Sequence, residues 1–183
     1  MASLSYQFTP GILQPRIGPV HRLSLAFVWL TFAVSAIVFS EPAPVDLFML
    51  GVIVMLPVIG LIRITPPLIV FLAIWLIAGA CALIGTVNAI DPTKALIHTS
   101  VTFFLTLSSF VMAAFIMRRP EGHTHLIMHA YVIAAVLAAL TALLGYFDLI
   151  PGTAALFTKY GRPAGTFKDP NVFGPFLVPP ILY

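Results

Sequence analysis

Apolar residues run along this chain in long blocks, and polar residues are confined to short breaks between them. The first block, Arg22 to Phe39, is about eighteen residues, enough to cross a bilayer core at about 1.5 Å per residue when flanking residues help. Glu41-Pro42-Ala43-Pro44 ends it. Val45 to Ile62 is a second block, with a kink expected at Pro57 and Arg63 behind it. Pro66-Pro67 opens a third, Leu68 to Val87. Asn88-Ala89-Ile90-Asp91-Pro92 reads as a turn, with Asp91 as N-cap and Pro92 at the first helical position. Ala95 to Met117 is the fourth block and Leu126 to Phe147 the fifth, with the basic loop Arg118 to His123 between them. The pattern predicts an all-α, polytopic transmembrane helix bundle. Five full spans over 22–147 follow an irregular tail, residues 1–21.

Residues 148–170 are the longest polar stretch, and Asn171 is expected to open a sixth apolar segment. That segment, Val172 to Tyr183, amounts to roughly 18 Å of helix against roughly 30 Å of hydrocarbon. Pro175, Pro179 and Pro180 make it a poor helix former. The expectation is a truncated sixth helix, with the chain the front part of a longer protein; a re-entrant segment is the alternative.

Composition agrees with a lipid solvent. Of 183 residues, 60% are hydrophobic and 8% charged, where soluble domains carry about 25% charged residues. Mean hydropathy is +1.06. The first twenty residues, with Pro10, Pro15 and Pro19, do not read as a secretory leader. Cys81 is the single cysteine, so no disulfide framework and no cysteine metal spacing exists. A net charge of +3 does not point to nucleic acid. What counts is where the charges fall. With a cytoplasmic N-terminus, the inner segments hold Arg16, Arg22, Arg63, Arg118 and Arg119 against Glu121. The outer ones mix Lys94, Lys159, Arg162 and Lys168 with Glu41, Asp46, Asp91, Asp148 and Asp169. The positive-inside rule therefore places the 148–170 loop on the outer face, periplasmic in a Gram-negative inner membrane.

Two stripes sit on the spans. Ala134, Ala138 and Ala142 at i, i+4, i+8 let another element approach closely. His98, Thr102, Thr106 and Ser109 share a helical face and are expected to point into the bundle. Interhelical hydrogen bonding is the favoured reading of that stripe, and the polar wall of a substrate cleft is the sharper one. His123, His125 and His129 cluster near the start of span five. Solvated interfacial histidines are favoured over a zinc site, because no cysteine or carboxylate beyond Glu121 joins them. Trp29 and Trp75 read as packing residues.

Chemistry concentrates in Arg162-Pro163-Ala164-Gly165-Thr166-Phe167-Lys168-Asp169-Pro170-Asn171. Arg162 offers a planar fork of donors matched to phosphate oxygens. Gly161 and Gly165 allow positive φ or close backbone approach. Asn171 reads as an N-cap, which would point the unpaired amides of the following helix at an anion beside Arg162 and Lys168. Asp169 would orient one of the two cations. On physical grounds alone, cations that merely anchor the loop to lipid headgroups remain the simpler reading.

Five spans, a long outer loop and Arg-x-x-Gly-Thr-Phe-x-x-Pro-Asn opening an apolar helix together resemble the superfamily of O-antigen ligases and O-antigen or exopolysaccharide polymerases. The matching residues are Arg162, Gly165, Thr166, Phe167, Pro170 and Asn171. The resemblance implies a GT-C-like bundle of about a dozen helices. It implies a metal-independent glycosyltransferase without cofactor, moving a glycan from an undecaprenyl diphosphate carrier on the periplasmic face. The acceptor would be lipid A core or a second lipid-linked glycan. Arg162, with Lys168, Gly165 and Asn171, would bind the carrier diphosphate; His98, Thr102 and Thr106 would line the cleft. The family's general base lies in a second periplasmic loop that this sequence does not reach, so the chain alone is expected to be inactive. A flippase component for lipid-linked oligosaccharide, or a non-catalytic scaffold, is the rival reading. Against a transporter, no internal repeat is visible and charges avoid mid-span positions.

Overall fold

The structure, a computed structural model, describes residues 18–40 and 42–183. Most of the expected tail, including Arg16, lies outside these residues, as does Glu41. The fold is a helical bundle with a single two-stranded hairpin among the described residues.

Helix α1 spans Pro19–Ala33 and tightens into a 3-10 turn, Val34–Ala36. It begins three residues before Arg22, so 19–21 are helix rather than tail, and it stops short of Phe39. Pro19 at the first position explains the earlier start, because its missing N–H costs nothing there. Helix α2, Pro44–Val58, is entered through the Asp46 carboxylate, which accepts the Ala43 amide at 2.8 Å. Pro57 does not kink a longer helix; the helix ends one residue later. Gly60, at φ +70, takes the left-handed position, Leu61 N–H bonds Leu56 O and Gly60 N–H bonds Pro57 O. That is a Schellman stop, and Leu56 and Leu61 are both buried beneath it.

Helices α3 (Pro66–Thr86), α4 (Pro92–Ile116) and α5 (Pro120–Tyr146) follow. Asp91 caps α4 as expected, accepting Lys94 N–H at 3.1 Å, with Pro92 next. The bond to the Lys94 amide, then the Lys94 ammonium, holds the Asp91 carboxyl below its ordinary value. Among the described residues, four helices are long and apolar enough to cross a membrane: 19–36, α3, α4 and α5. At 15 residues, or roughly 22 Å, α2 falls short of roughly 30 Å of hydrocarbon.

The main core joins Val28 of α1, Val52 and Leu56 of α2, Leu61 of the turn after it, and Val111 and Phe115 of α4 to Ile127 of α5. Helix α3 is apolar all round and packs on α4, where Gly79 lies so close to Phe103 that a Cβ would meet the ring at 2.5 Å. That contact fixes the rotation of α4. Thr99, Thr106 and Phe110 turn inward, while His98, Thr102 and Ser109 are exposed. The expected inward stripe is therefore contradicted except at Thr106. Thr102 satisfies its own hydroxyl on the His98 carbonyl, so facing outward leaves no donor bare.

Beyond α5 the chain is more ordered than a loop. Asp148, at φ +46, closes α5 with a second pair of Schellman bonds, from Leu149 N–H to Leu144 O and Asp148 N–H to Gly145 O. A short helix α6 (Thr153–Phe157) and strands β1 (Thr158–Lys159) and β2 (Arg162–Pro163) follow. Helix α7, Pro170–Leu182, runs unbroken through Pro175, Pro179 and Pro180. Its apolar side buries Phe173 on α5, and Tyr131 Oη–H donates to the Phe176 carbonyl at 2.8 Å. That packing stabilises a helix whose prolines have removed several ladder bonds.

Candidate functional site

The 158–171 segment is anchored at three points. The turn between β1 and β2 is Tyr160-Gly161, both at positive φ (54° and 71°), the primed geometry that suits a two-residue hairpin. Downstream, Gly165 (φ +57) lies against α5; a Cβ would meet the Ala138 carbonyl oxygen at 2.8 Å. Its own amide, like that of Ala164, donates to Phe157 O. Then the chain bridges to the end of α1: Val38 N–H donates to Thr166 O and Lys168 N–H to Val38 O. The Thr166 hydroxyl bonds the Ala36 carbonyl. Phe167 fills the pocket over Ala36, Ala134 and Ala138, against Phe173 and Phe176. The alanine stripe of α5 thus receives the end of α1, two aromatic rings and a glycine turn.

This anchoring explains Gly165, Thr166 and Phe167 without a ligand. Gly165, expected at a diphosphate, is buried against α5 with its amide spent, and its role is corrected to a structural one. A second correction concerns the helix start. Asp169, not Asn171, is the N-cap of α7, accepting Asn171 N–H at 2.7 Å, and Pro170 takes the first position. The next two amides, Val172 and Phe173, bond Asp169 O at 3.1 and 3.3 Å. No first-turn amide of α7 is left for an anion, and the capping carboxylate would repel one.

What remains is a patch of cations. Register places Lys159 opposite Arg162 across the hairpin. The Lys159 ammonium donates to the Lys168 carbonyl at 2.8 Å, which brings the Lys168 backbone beside the hairpin. Arg162 Nη1 donates to Asn171 Oδ1 at 3.3 Å, so Asn171 holds the guanidinium, a task expected of Asp169. Lys159, Arg162, Lys168 and Asn171 are all exposed. Arg162 and Asn171 are therefore in contact, and the backbone of Lys168 lies beside Lys159. Lys159 was missed; its only sequence signal is the Tyr-Gly pair that closes the hairpin. The patch can grip phosphate oxygens and neutralise charge on them. It does not supply a base: Asp169 caps α7, and the Asp148 carboxylate accepts the Ala154 amide at 3.1 Å.

The remaining candidates lie elsewhere. Thr106 lines a small cavity with Leu72, Phe103 and Leu107 between α3 and α4, and His98 and Thr102 do not join it. Of His123, His125 and His129, the last two share a site. They border a groove of about 830 Å³ with Trp29, Leu126, Pro180 and Tyr183. The Trp29 indole N–H donates to His129 Nδ1 at 3.1 Å, which puts the neutral ring's proton on Nε2 and spoils it as a metal ligand. His125 Nδ1 bonds the Tyr183 hydroxyl. His123 is not solvated: it is 4% exposed and stacked on Phe115 at 3.8 Å, and its Nδ1–H donates to the Phe115 carbonyl at 2.6 Å.

No family model, curated protein or solved structure matches the chain.

Proposed function

We propose that the chain contributes the donor-diphosphate site of a membrane glycosyltransferase acting on lipid-linked glycans, an O-antigen ligase or surface-polysaccharide polymerase. The observation that carries this reading is the pairing of Lys159 with Arg162 across a two-residue turn, with Lys168 alongside. Like charges set directly opposite on a hairpin oppose its formation. They are useful where a dianion sits between them. Cleaving a glycosyl–phosphate bond develops negative charge on the departing diphosphate, and preorganised cations there lower the barrier. The bacterial inner membrane, an undecaprenyl diphosphate donor, a lipid A core or second lipid-linked acceptor, and a periplasmic patch belong to the same proposal. The segregation of Arg63, Arg118 and Arg119 supports that orientation: the Arg118 guanidinium bonds the Gly60 carbonyl at one end of the bundle, while Val38 holds the cationic loop at the other.

The test is glycan transfer in cells expressing the gene from its full reading frame. Arg162→Ala is expected to lose on the order of 10²-fold or more in transfer, as loss of one charge-stabilising donor does. Arg162→Lys keeps the charge but not the fork and falls in between. Full polymer or capped lipopolysaccharide from both variants removes Arg162 from the mechanism.

A further inference from the structure

The end of the bundle opposite the 158–171 segment gathers arginines from separate turns. The Arg63 N–H donates to the Ala114 carbonyl at 2.8 Å, a last-turn acceptor of α4, and the Arg118 guanidinium donates to the Gly60 carbonyl. These reciprocal bonds lock the α2–α3 turn onto the α4–α5 turn. His21, in the first turn of α1, lies within electrostatic reach of both Arg118 and Arg119. Arg63, Arg118 and Arg119 are all exposed. Glu121 is the one carboxylate in the turns that carry them, and among the described residues no ion pair joins any acid to these arginines. Aliphatic side chains stand beside the cations: Ile64, next to Arg63, is 54% exposed, and Met117, next to Arg118, is 40% exposed. Cations set among exposed apolar groups suit an amphiphile better than a free anion.

We propose that Arg63, Arg118 and Arg119 form a site for the phosphate head of an anionic glycerophospholipid, whose acyl chains run past Ile64 and Met117 along the outer face of α3. The site does not rest on the function proposed above. Charge complementarity chooses the occupant. The guanidinium forks of Arg63 and Arg119 make no hydrogen bond to the described residues, and phosphate oxygens accept from such forks in pairs. A zwitterionic lipid brings its own cation to the site and cancels most of that attraction. Basic clusters where spans meet the membrane surface are suited to anionic headgroups. Helix α3 begins three residues past Arg63, and its Ile69 and Val70 are exposed, so hydrocarbon is in reach of a lipid held there. Orienting the chain requires only that the arginines lie on one side. It does not require the two turns that carry them to be bonded together, as a headgroup site does.

The test is native mass spectrometry of the full chain with three probes: dioleoyl phosphatidylglycerol, dioleoyl phosphatidylcholine and glycerol 3-phosphate. Wild type should retain phosphatidylglycerol at concentrations where phosphatidylcholine is lost, and glycerol 3-phosphate should not displace it. Arg63→Gln/Arg119→Gln leaves the Arg63 and Arg119 backbone bonds in place and should weaken phosphatidylglycerol about thirtyfold, the combined effect of two cations at a charged membrane surface. Arg63→Lys/Arg119→Lys keeps the charge and should keep most of the binding, and unchanged unfolding temperatures in both variants show that the fold is kept. Lys94→Gln, at the other end of the bundle, should bind as wild type does. A folded glutamine variant that binds like wild type, or a wild type that holds both lipids equally, overturns the site. Equal loss in Lys94→Gln reduces it to general charge attraction, and displacement by glycerol 3-phosphate makes it a free-anion site; either result overturns the lipid assignment.

Discussion

Lys159 and Arg162 face each other across a two-residue turn, strand partners of the same charge. Their backbones are set by Tyr160 and Gly161, both left-handed, and their side chains are held by Lys168 O and Asn171 Oδ1. The hairpin is therefore built to hold the two charges together rather than to relieve them. It follows that Lys159→Thr should stabilise the unliganded chain slightly, by about 0.5 kcal/mol or less, since it removes a like-charge pair. The same variant should bind polyprenyl diphosphate less tightly. Thermal unfolding in detergent and ligand titration check the two halves, and a fall in both would point to a purely structural lysine.

The two glycines of the segment should respond differently to alanine. Gly161 has open space around it and only a left-handed backbone, so Gly161→Ala should cost about 1–2 kcal/mol. Gly165→Ala meets a similar penalty and also a backbone oxygen, Ala138 O, 2.8 Å from the new Cβ. It should cost more and detach the loop from α5. Limited proteolysis within 158–168 reads the detachment: accelerated cutting in Gly165→Ala and not in Gly161→Ala is expected.

His123 should behave as a core residue. Its ring stacks on Phe115 and its N–H donates to the Phe115 carbonyl in the last turn of α4. His123→Ala should cost about 2–4 kcal/mol through the cavity and the lost bond. His123→Phe keeps the stack, and Phe115 O still accepts Arg118 N–H, so about 1 kcal/mol is expected. Chemical denaturation of the two variants separates packing from hydrogen bonding.

Asp91 gives a pH dependence with a definite sign. Its folded carboxyl is more acidic than in the unfolded chain, so its contribution is fully present above the unfolded value of about 3.9. It is lost as pH falls through the lower folded value. Asp91→Asn should remove that acid-range component and leave the difference from wild type flat between pH 5 and 8. Unfolding temperatures measured from pH 3 to 8 test this.

Much of the fold could be read from the chain because its signals are local. Apolar blocks marked α1, α3, α4 and α5, and Asp91-Pro92 marked a helix start. The same Asp-Pro rule, applied at Asp169-Pro170, gives the cap one residue before Pro and would have avoided the error at Asn171. The length of α2 was less legible, because Gly60 needed to be weighed as a left-handed stop rather than part of an apolar run. The rotation of α4 was not legible at all. It depends on Phe103 seating over Gly79 of another helix, and polarity alone pointed His98 and Thr102 the wrong way. In the site, Arg162 and Lys168 were visible as charges in an apolar chain. Lys159 joined them only through hairpin register, and Gly165 turned inward because an alanine stripe twenty-odd residues upstream left room for it.

We propose that the Lys159–Arg162–Lys168 segment grips a phosphate-bearing lipid head. That proposal is tested most directly by the affinity of the chain in nanodiscs for a polyprenyl diphosphate against the uncharged polyprenol, in wild type and in Lys159→Ala/Arg162→Ala. The diphosphate should bind wild type more tightly than the alcohol, lose at least tenfold in the double variant, and weaken as salt screens the cations. Equal affinities for diphosphate and alcohol, or a double variant that binds like wild type, would contradict the account.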